Sequence, residues 1–449
     1  MDLRLKKFTI IGAARSGIAA AEVILRQGGI PFVSDNGQIK DEALLKKLQT
    51  LKIDYEIGGH SEKIYDGEYL IVSPAVPSDA PIIMEAKARG MIVWPEIELA
   101  YHLCKGKIIG ITGSNGKTTT TALIGKILEE AGMKTFVCGN IGTPFIGIAE
   151  QVPFDGWAVV ELSSFQLEQI ESFRPNIAVF LNLTPDHLDR HKSLENYAAA
   201  KMRIFENQKD NDIAVVNHDD ETLVNLSRQI PSYINWFSTR GNIESGVWGV
   251  PGEDIYIGQR ELMKADDIKI KGEHNLSNAC AAIAAALGAG VPEENIIATL
   301  KSFAGVEHRL EPVRLIGGVS FINDSKGTNV DSVYWALKAV SAPVILIAGG
   351  KDKDGDFSAL NDMISKKAKL VVLIGKASDK IEATWKEIVR CVRATTMEDA
   401  VRLSYKESKP MDTVLLSPGC ASFDMFDNYE HRGRVFKKAV EDLAKEVTA

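Results

Sequence analysis

The sequence predicts an α/β protein of three domains, and three observations carry that expectation. At 449 residues the chain is too long for one ordinary hydrophobic core. Short apolar runs alternate with longer amphipathic segments from end to end, the pattern of repeated βαβ units around parallel sheets. Glycine-rich turns follow two of the apolar runs, after Ile11 and after Thr112, where a strand passes into a helix.

In chain order, Phe8 to Ile11 reads as a buried strand, Gly12 to Gly17 as its turn and Ile18 to Arg26 as the helix that follows. Pro31 to Ser34 is a second strand ending at Asp35. Strands near Leu70 to Ser73 and Ile92 to Trp94 complete a small sheet, and the polar, helical segment from Glu96 to Lys105 marks the first boundary. Lys107 to Thr112 opens a second domain with a glycine-rich loop and a helix from Thr118 to Ala131. Strands at Trp157 to Glu161, Ile177 to Leu183 and Ile213 to Asn217 follow, then an Ala-rich helix after Asn275 and another after Pro292. Phe303 to Arg309 reads as a second linker. Beyond it, strands at Val319 to Asn323, Val344 to Ala348, Leu370 to Ile374 and Thr413 to Ser417 mark the third α/β domain.

Composition excludes several function classes. Lys plus Arg total 52 against 60 Asp plus Glu, a net charge of −8, which argues against a general nucleic-acid binder. The five cysteines, Cys104, Cys138, Cys280, Cys391 and Cys420, are scattered without a CxxC pair, so free thiols in a reducing cytoplasm are expected. The N-terminal stretch is basic and then apolar, but Arg15, Gly17 and Glu22 interrupt it, so it reads as strand, turn and helix. No stretch reaches the roughly 18 uninterrupted apolar residues of a membrane span.

The segment GITGSNGKTTTT from Gly110 to Thr121 lies between strand and helix, where backbone amides at a helix N-terminus cradle phosphate. Gly113 and Gly116 allow close approach, with Ser114 and Asn115 between them. Lys117 supplies a point charge for the terminal phosphates, and the hydroxyl of Thr118 or Thr119 is placed to meet Mg²⁺. A strict phosphate loop would carry glycine at position 111, where this chain has Ile111 and places Gly110 one residue earlier. Glu161 ends one strand and NLTPDH, Asn182 to His187, follows the next, so carboxylate and imidazole both fall at C-terminal strand ends, where open α/β sheets bind ligands. A hard cation takes such oxygen ligands. His191, in PDHLDRH, is expected on the surface or behind the ligands. Lys201, in YAAAKMRIF, is by itself an ordinary helical lysine.

The loop spacing resembles the Mur ligase family. ELSSFQLE, NLTPDHLDRH, NDSKGTN and SPGCASFDMFDNYEHRG extend the resemblance over essentially the whole chain. It implies an N-terminal Rossmann-like, UDP-substrate-binding domain at 1–97 and a central P-loop ATPase-like domain with a parallel sheet at 98–305. A C-terminal Rossmann-like, amino-acid-binding domain at 306–449 would follow. It further implies ATP and Mg²⁺ as cofactors and a carbamate on Lys201 that helps position the metal beside Thr118, Glu161 and His187. The implied substrates are UDP-N-acetylmuramoyl-L-alanine and D-glutamate, in a cytoplasmic, monomeric, ATP-driven ligase of peptidoglycan synthesis. In that reading Lys117, His187 and Lys201 are catalytic, and Asp324 and Lys326 contact ATP and its metal. Arg15, Ser16, Asp35 and Ser73 would hold the uridine nucleotide, with Gly139 and Asn140 near its diphosphate and sugar.

The remaining candidates come from loops in the last third of the chain. Asn275 stands near a helix start, as an adenine contact or a helix cap. Arg309 in the second linker reaches the γ-phosphate only after domain closure. Thr328 lies in the loop after a strand. GGKDKDGDF offers Lys353 to a substrate carboxylate, Ser422 and the Phe423 backbone offer hydrogen bonds, and Tyr429 either closes the pocket or belongs to the core. Three alternatives share parts of this pattern: a sister ligase for another amino acid, folylpolyglutamate synthase, and an NAD(P)-dependent oxidoreductase. The last rests on GAARSG, a degenerate dinucleotide fingerprint in which Ala14 replaces a glycine, followed by Asp35 at the ribose-binding spacing.

Overall fold

The structure, a computed structural model, describes residues 1–37, 42–341 and 343–448. They form an α/β chain built on three sheets. The first has β1 (Lys7–Ile11), β2 (Ile30–Asp35), β3 (Asp54–Ile57), β4 (Tyr69–Val72) and β5 (Ile92–Pro95), all parallel in the order 3-2-1-4-5. The second has β6 (Lys107–Thr112), β7 (Thr135–Gly139), β8 (Trp157–Glu161), β9 (Ile177–Phe180), β10 (Ile213–Asn217), β11 (Tyr233–Ser238), β12 (Gly246–Gly249), β13 (Asp254–Ile257) and β14 (Arg260–Lys264), in the order 14-13-12-11-10-9-6-8-7. Its last two pairings, β12 with β13 and β13 with β14, are antiparallel. The third has β15 (Glu311–Ile316), β16 (Val319–Asn323), β17 (Val344–Gly349), β18 (Ala368–Ile374), β19 (Cys391–Arg393) and β20 (Thr413–Leu416), in the order 15-16-20-17-18-19, with β15 alone antiparallel.

The central strands are the ones whose composition is most apolar. WAVVE of β8 and VILIAG of β17 are buried at every position, as strands covered on both faces must be. The first helix begins at Arg15 rather than Ile18 and runs to Arg26, because Gly12 takes φ +100° and turns the chain early. Gly17 packs this helix against the turn: a Cβ there would lie 1.9 Å from the Gly12 carbonyl oxygen.

The chain divides into two compact units, Met1–Ile268 with Leu276–Phe303, and Lys269–Asn275 with Ala304–Ala449. The first unit holds the five- and nine-stranded sheets, and one apolar core runs through both, from Phe8, Ile10 and Trp94 to Ala158, Phe180 and Phe205. Helix Glu96–Leu103 lies at this seam. Glu98, fully buried, accepts the backbone amides of Glu171 (2.9 Å), Ser172 (2.7 Å) and Phe173 (3.0 Å), and Trp94 Nε1 donates to the Glu171 carboxylate at 2.6 Å. Glu96 accepts Ile146 N–H and the Gln166 amide, and burial lifts its pKa to about 7.

Burial would raise the Glu98 pKa, but His102 and the three amides outweigh it and hold the carboxyl below its ordinary value. The stabilisation is therefore present above the unfolded carboxylate pKa and lost as pH falls through the folded one. Glu98→Ala is expected to lower unfolding free energy at neutral pH by about 3 kcal/mol, since three buried amides lose a charged acceptor, and urea titration at pH 7 and pH 3 measures the loss and its shrinkage in acid.

Candidate functional site

The geometry is set by the neighbours of β6. Register places Ile111 beside Glu161 of β8 and Thr112 beside Phe180 of β9, so three adjacent parallel strands end together. Carboxylate, phosphate-type loop and the NLTPDH segment all emerge at their C-terminal ends. Gly113 (φ +148°) and Gly116 (φ +84°) shape the loop, and at Gly116 a Cβ would meet Asn278 Oδ1 at 2.2 Å. Helix Lys117–Glu130 follows with no side-chain cap on its first amides, and Thr118 and Thr119 are buried in its first turn.

The loop is fastened to the segment after β9. Ser114 N–H donates to Asn182 O, Ser114 Oγ to Thr184 O, and Asn115 N–H to Asn182 Oδ1, all within 2.8–2.9 Å. Ser114 and Asn115 thus spend side-chain and backbone groups on holding the loop. Lys117 Nζ donates to the carbonyls of Gly113 (2.7 Å) and Ser114 (2.8 Å). Lys201, 1% exposed on helix Leu194–Met202, donates to the same Gly113 carbonyl at 2.8 Å. Burial, and then the neighbouring Lys117 charge, push the Lys201 pKa well below its ordinary value, while Asp186 and Glu161 pull it partly back. Tyr197, one turn earlier on the same helix, lies under this amine at 4.7 Å and accepts from Ser114 Oγ at 3.4 Å. The sequence reading passed over Tyr197, although its i, i+4 spacing from Lys201 placed both on one helix face.

Glu161 is oriented from β7's end: Asn140 Nδ2 donates to its Oε1 at 2.9 Å, and Asn140 N–H to its backbone carbonyl at 2.9 Å. Gly139 permits this approach, since a Cβ there would lie 2.3 Å from the Glu161 carbonyl oxygen. His187 takes the left-handed conformation (φ +55°) that turns the chain into helix Leu188–His191, and its ring meets the edge of Phe165 at 4.9 Å. Of the two places expected for His191, on the surface or behind the ligands, the first does not hold: it is buried, sharing a 2.9 Å hydrogen bond with Ser164 Oγ and stacking on Phe165.

In the five-stranded sheet, Asp35 accepts Ala13 N–H at 2.7 Å and Gly37 N–H at 2.8 Å. Ser73 Oγ donates to Gly12 O at 3.4 Å, Arg15 is exposed and Ser16 half-buried at the uncapped start of helix Arg15–Arg26. These candidates share the C-terminal ends of β1, β2 and β4. A separate cleft of about 360 Å³, lined by Tyr101, His102, Arg174 and Asn176 among others, opens at the N-terminal ends of β6 and β9. Arg174 there pairs with Asp212 at 2.6 Å.

In the second unit, β16, β20 and β17 are neighbours, and the loops after them carry the remaining candidates. Asp324 is buried, accepts Ser417 Oγ at 2.8 Å, and has its pKa lifted by burial to about 6 against the pull of Arg309. Lys326 Nζ lies over the Tyr429 ring at 4.9 Å. Arg309 Nε is buried without a hydrogen-bond partner among the described residues, a group that an anionic ligand would satisfy. Thr328 and Lys353 are half-buried, Ser422 is buried, and the Phe423 side chain is 70% exposed. Asn275, the third residue of helix Glu273–Gly288, does not cap it; its Nδ2 donates back to Lys271 O at 2.8 Å. Arg432, unassigned by the sequence, is completely buried. It donates to Ser325 Oγ, Ser325 O and Cys420 O, fixing the Asp324 loop to the loop after β20.

Three family models match the chain: MurD N-terminal domain over residues 7–82, Mur ligase middle domain over 111–286, and Mur ligase, glutamate ligase domain over 308–420. The UDP-N-acetylmuramoylalanine--D-glutamate ligase of Koribacter versatilis is 46% identical over 99% of each chain. That of Alkaliphilus oremlandii is 43% identical, covering 99% of this chain and 100% of its own. Among solved structures, UDP-N-acetylmuramate-alanine ligase MurC from Thermotoga maritima superposes with TM-score 0.62 at 20% identity, covering 97% of this chain and 99% of its own. MurF ligase from Thermotoga maritima in complex with ADP gives 0.61 at 18%, covering 99% and 97%; both show the shared fold.

Because burial raises the Asp324 pKa, the folded state favours its protonated form. That contribution is fully present below the unfolded carboxylate pKa and is lost as pH rises through about 6. Asp324→Asn is therefore expected to gain melting temperature relative to the parent protein as pH goes from 5 to 8, read by calorimetry without nucleotide.

Proposed function

The chain belongs to the Mur ligase family, and from that premise we propose that it joins D-glutamate to UDP-N-acetylmuramoyl-L-alanine with ATP, through an acyl phosphate, in the cytoplasmic stage of peptidoglycan synthesis. The observation that carries this reading is the convergence of the Gly113–Lys117 loop, Glu161 and buried Lys201 at the ends of three adjacent strands. The three sheets correspond to the three roles, uridine-substrate binding at 1–97, ATP binding at 98–305 and amino-acid binding at 306–449, in a monomer.

The residues perform distinct tasks. The amides at the start of helix Lys117–Glu130 and the Lys117 amine bind the phosphates, with Gly113 and Gly116 leaving room. Lys117, folded back on its own loop carbonyls, has a short reach to the γ-phosphate. The donor set fits a hard cation: Glu161, held in orientation by Asn140, with the Thr118 hydroxyl and His187, would hold Mg²⁺, which when bound neutralises charge on the phosphates. The depressed Lys201 pKa supports a neutral amine able to take up CO₂ as a carbamate. Asp35, Ser73, Arg15 and Ser16 orient the uridine nucleotide so that the alanyl carboxylate faces the γ-phosphorus. Asn275 and Arg309 with Asp324 and Lys326 complete the ATP contacts. Thr328, Lys353, Ser422, Phe423 and Tyr429 receive D-glutamate. The carboxylate oxygen attacks phosphorus and ADP leaves; the D-glutamate amine then attacks the acyl carbon and phosphate leaves. Charge stabilisation and alignment dominate such a transfer.

The test is phosphate release from ATP and Mg²⁺ with UDP-N-acetylmuramoyl-L-alanine, offering D-glutamate, L-glutamate, L-alanine or diaminopimelate. Release is expected with D-glutamate alone; release with another amino acid instead would assign a sister activity. Lys117→Ala should lower the rate by roughly 10²–10³. Lys201→Ala should abolish turnover while nucleotide still binds, and full activity in that variant would remove the carbamate from the account.

A further inference from the structure

Arg190, in the PDHLDRH segment, reaches from its own sheet to the turn after β4. Its Nη1 donates to the carbonyls of Pro74 (3.0 Å) and Ala75 (3.4 Å), its Nη2 to the carbonyl of Val76 (3.1 Å) and to Glu168 (3.0 Å). The guanidinium lies over the Phe165 ring at 4.4 Å, the same ring that stacks with His191 and meets His187 edge-on. Three successive carbonyls therefore converge on one planar fork, which only arginine can satisfy at once. The gripped turn begins at Ser73, whose own carbonyl accepts Val76 N–H at 3.0 Å, and it stands at the C-terminal end of β4, among the nucleotide candidates.

We propose that Arg190 is a positioning residue for the ligation. By fixing the turn after Ser73 to the His187–His191 turn, it sets the separation between the carboxylate of the bound uridine substrate and the phosphate to be transferred. The inference rests on the ligase reading above. A clamp of purely mechanical value would need no such address. Arg190 instead joins the backbone beside one substrate's candidate site to the ring that packs a candidate metal residue, and a misplacement of about 1 Å between reacting groups costs about 10²-fold in rate.

The test uses the full chain with Arg190→Met and Arg190→Lys, measuring kcat, KM for UDP-N-acetylmuramoyl-L-alanine, KM for ATP and melting temperature. Arg190→Met is expected to lower kcat by about 10²-fold and to raise KM for the uridine substrate, with KM for ATP unchanged. Arg190→Lys keeps the charge but cannot span three carbonyls and a carboxylate, so it should show the same split. Parent-like kinetics in either folded variant, or a matched rise in both KM values alongside a fallen melting temperature, would overturn the proposal. If the methionine variant does not fold, the lysine variant decides by the same criteria. Absence of D-glutamate-dependent turnover in the parent protein would instead overturn the ligase reading, so the two failures are distinguishable.

Discussion

Two lysine amines, those of Lys117 and Lys201, donate to one carbonyl oxygen, Gly113 O, at 2.7 and 2.8 Å. Lys201 is fully buried and Lys117 half-buried, and two ammonium charges sharing one acceptor repel each other. The arrangement is relieved if Lys201 gives up its proton and Lys117 moves onto an incoming anion. Much of the surrounding structure serves this convergence. The glycines at 113 and 116 let the loop close over it, the Ser114 and Asn115 bonds to Asn182 and Thr184 hold the loop in place, and Tyr197 lies beneath the buried amine.

The phosphate loop, Glu161 and the strand ends around them were legible in the sequence, because glycine, lysine and strand-terminal polar residues each carry a local signal. β1, β6, β8 and β17 were equally plain, being short, apolar and buried apart from the leading lysines of β1 and β6. The edges were not. β3 (DYEI) and β14 (RELMK) are largely exposed, so no hydrophobic run marks them, and the antiparallel hairpins at β12 to β14 add strands that a βαβ reading does not anticipate. Tertiary contacts were the other blind spot. His191 is buried by an aromatic ring close in space but 26 residues earlier in sequence, and Arg432 gains its role from loops brought together by the third sheet.

The helix Glu96–Leu103 teaches a related lesson. The sequence marks it as a polar, helical segment at a domain boundary, and Glu96 and Glu98 are buried and hydrogen-bonded across the seam between two sheets. Charged residues at a boundary can mean solvent, or they can mean backbone amides that need an acceptor. Here the second holds, and the five- and nine-stranded sheets share one core. Uridine-binding candidates and the phosphate loop therefore belong to one compact unit, which suits the proposed first step, the approach of a carboxylate to a phosphate.

The central claim is that the alanyl carboxylate attacks the γ-phosphorus directly. The most direct measurement is to label both oxygens of that carboxylate with heavy oxygen and follow the label by mass spectrometry during a single turnover with ATP and D-glutamate. The account predicts one labelled oxygen in the released inorganic phosphate and none in the nucleotide. Label recovered in AMP, or retained entirely in the peptide product, would contradict it.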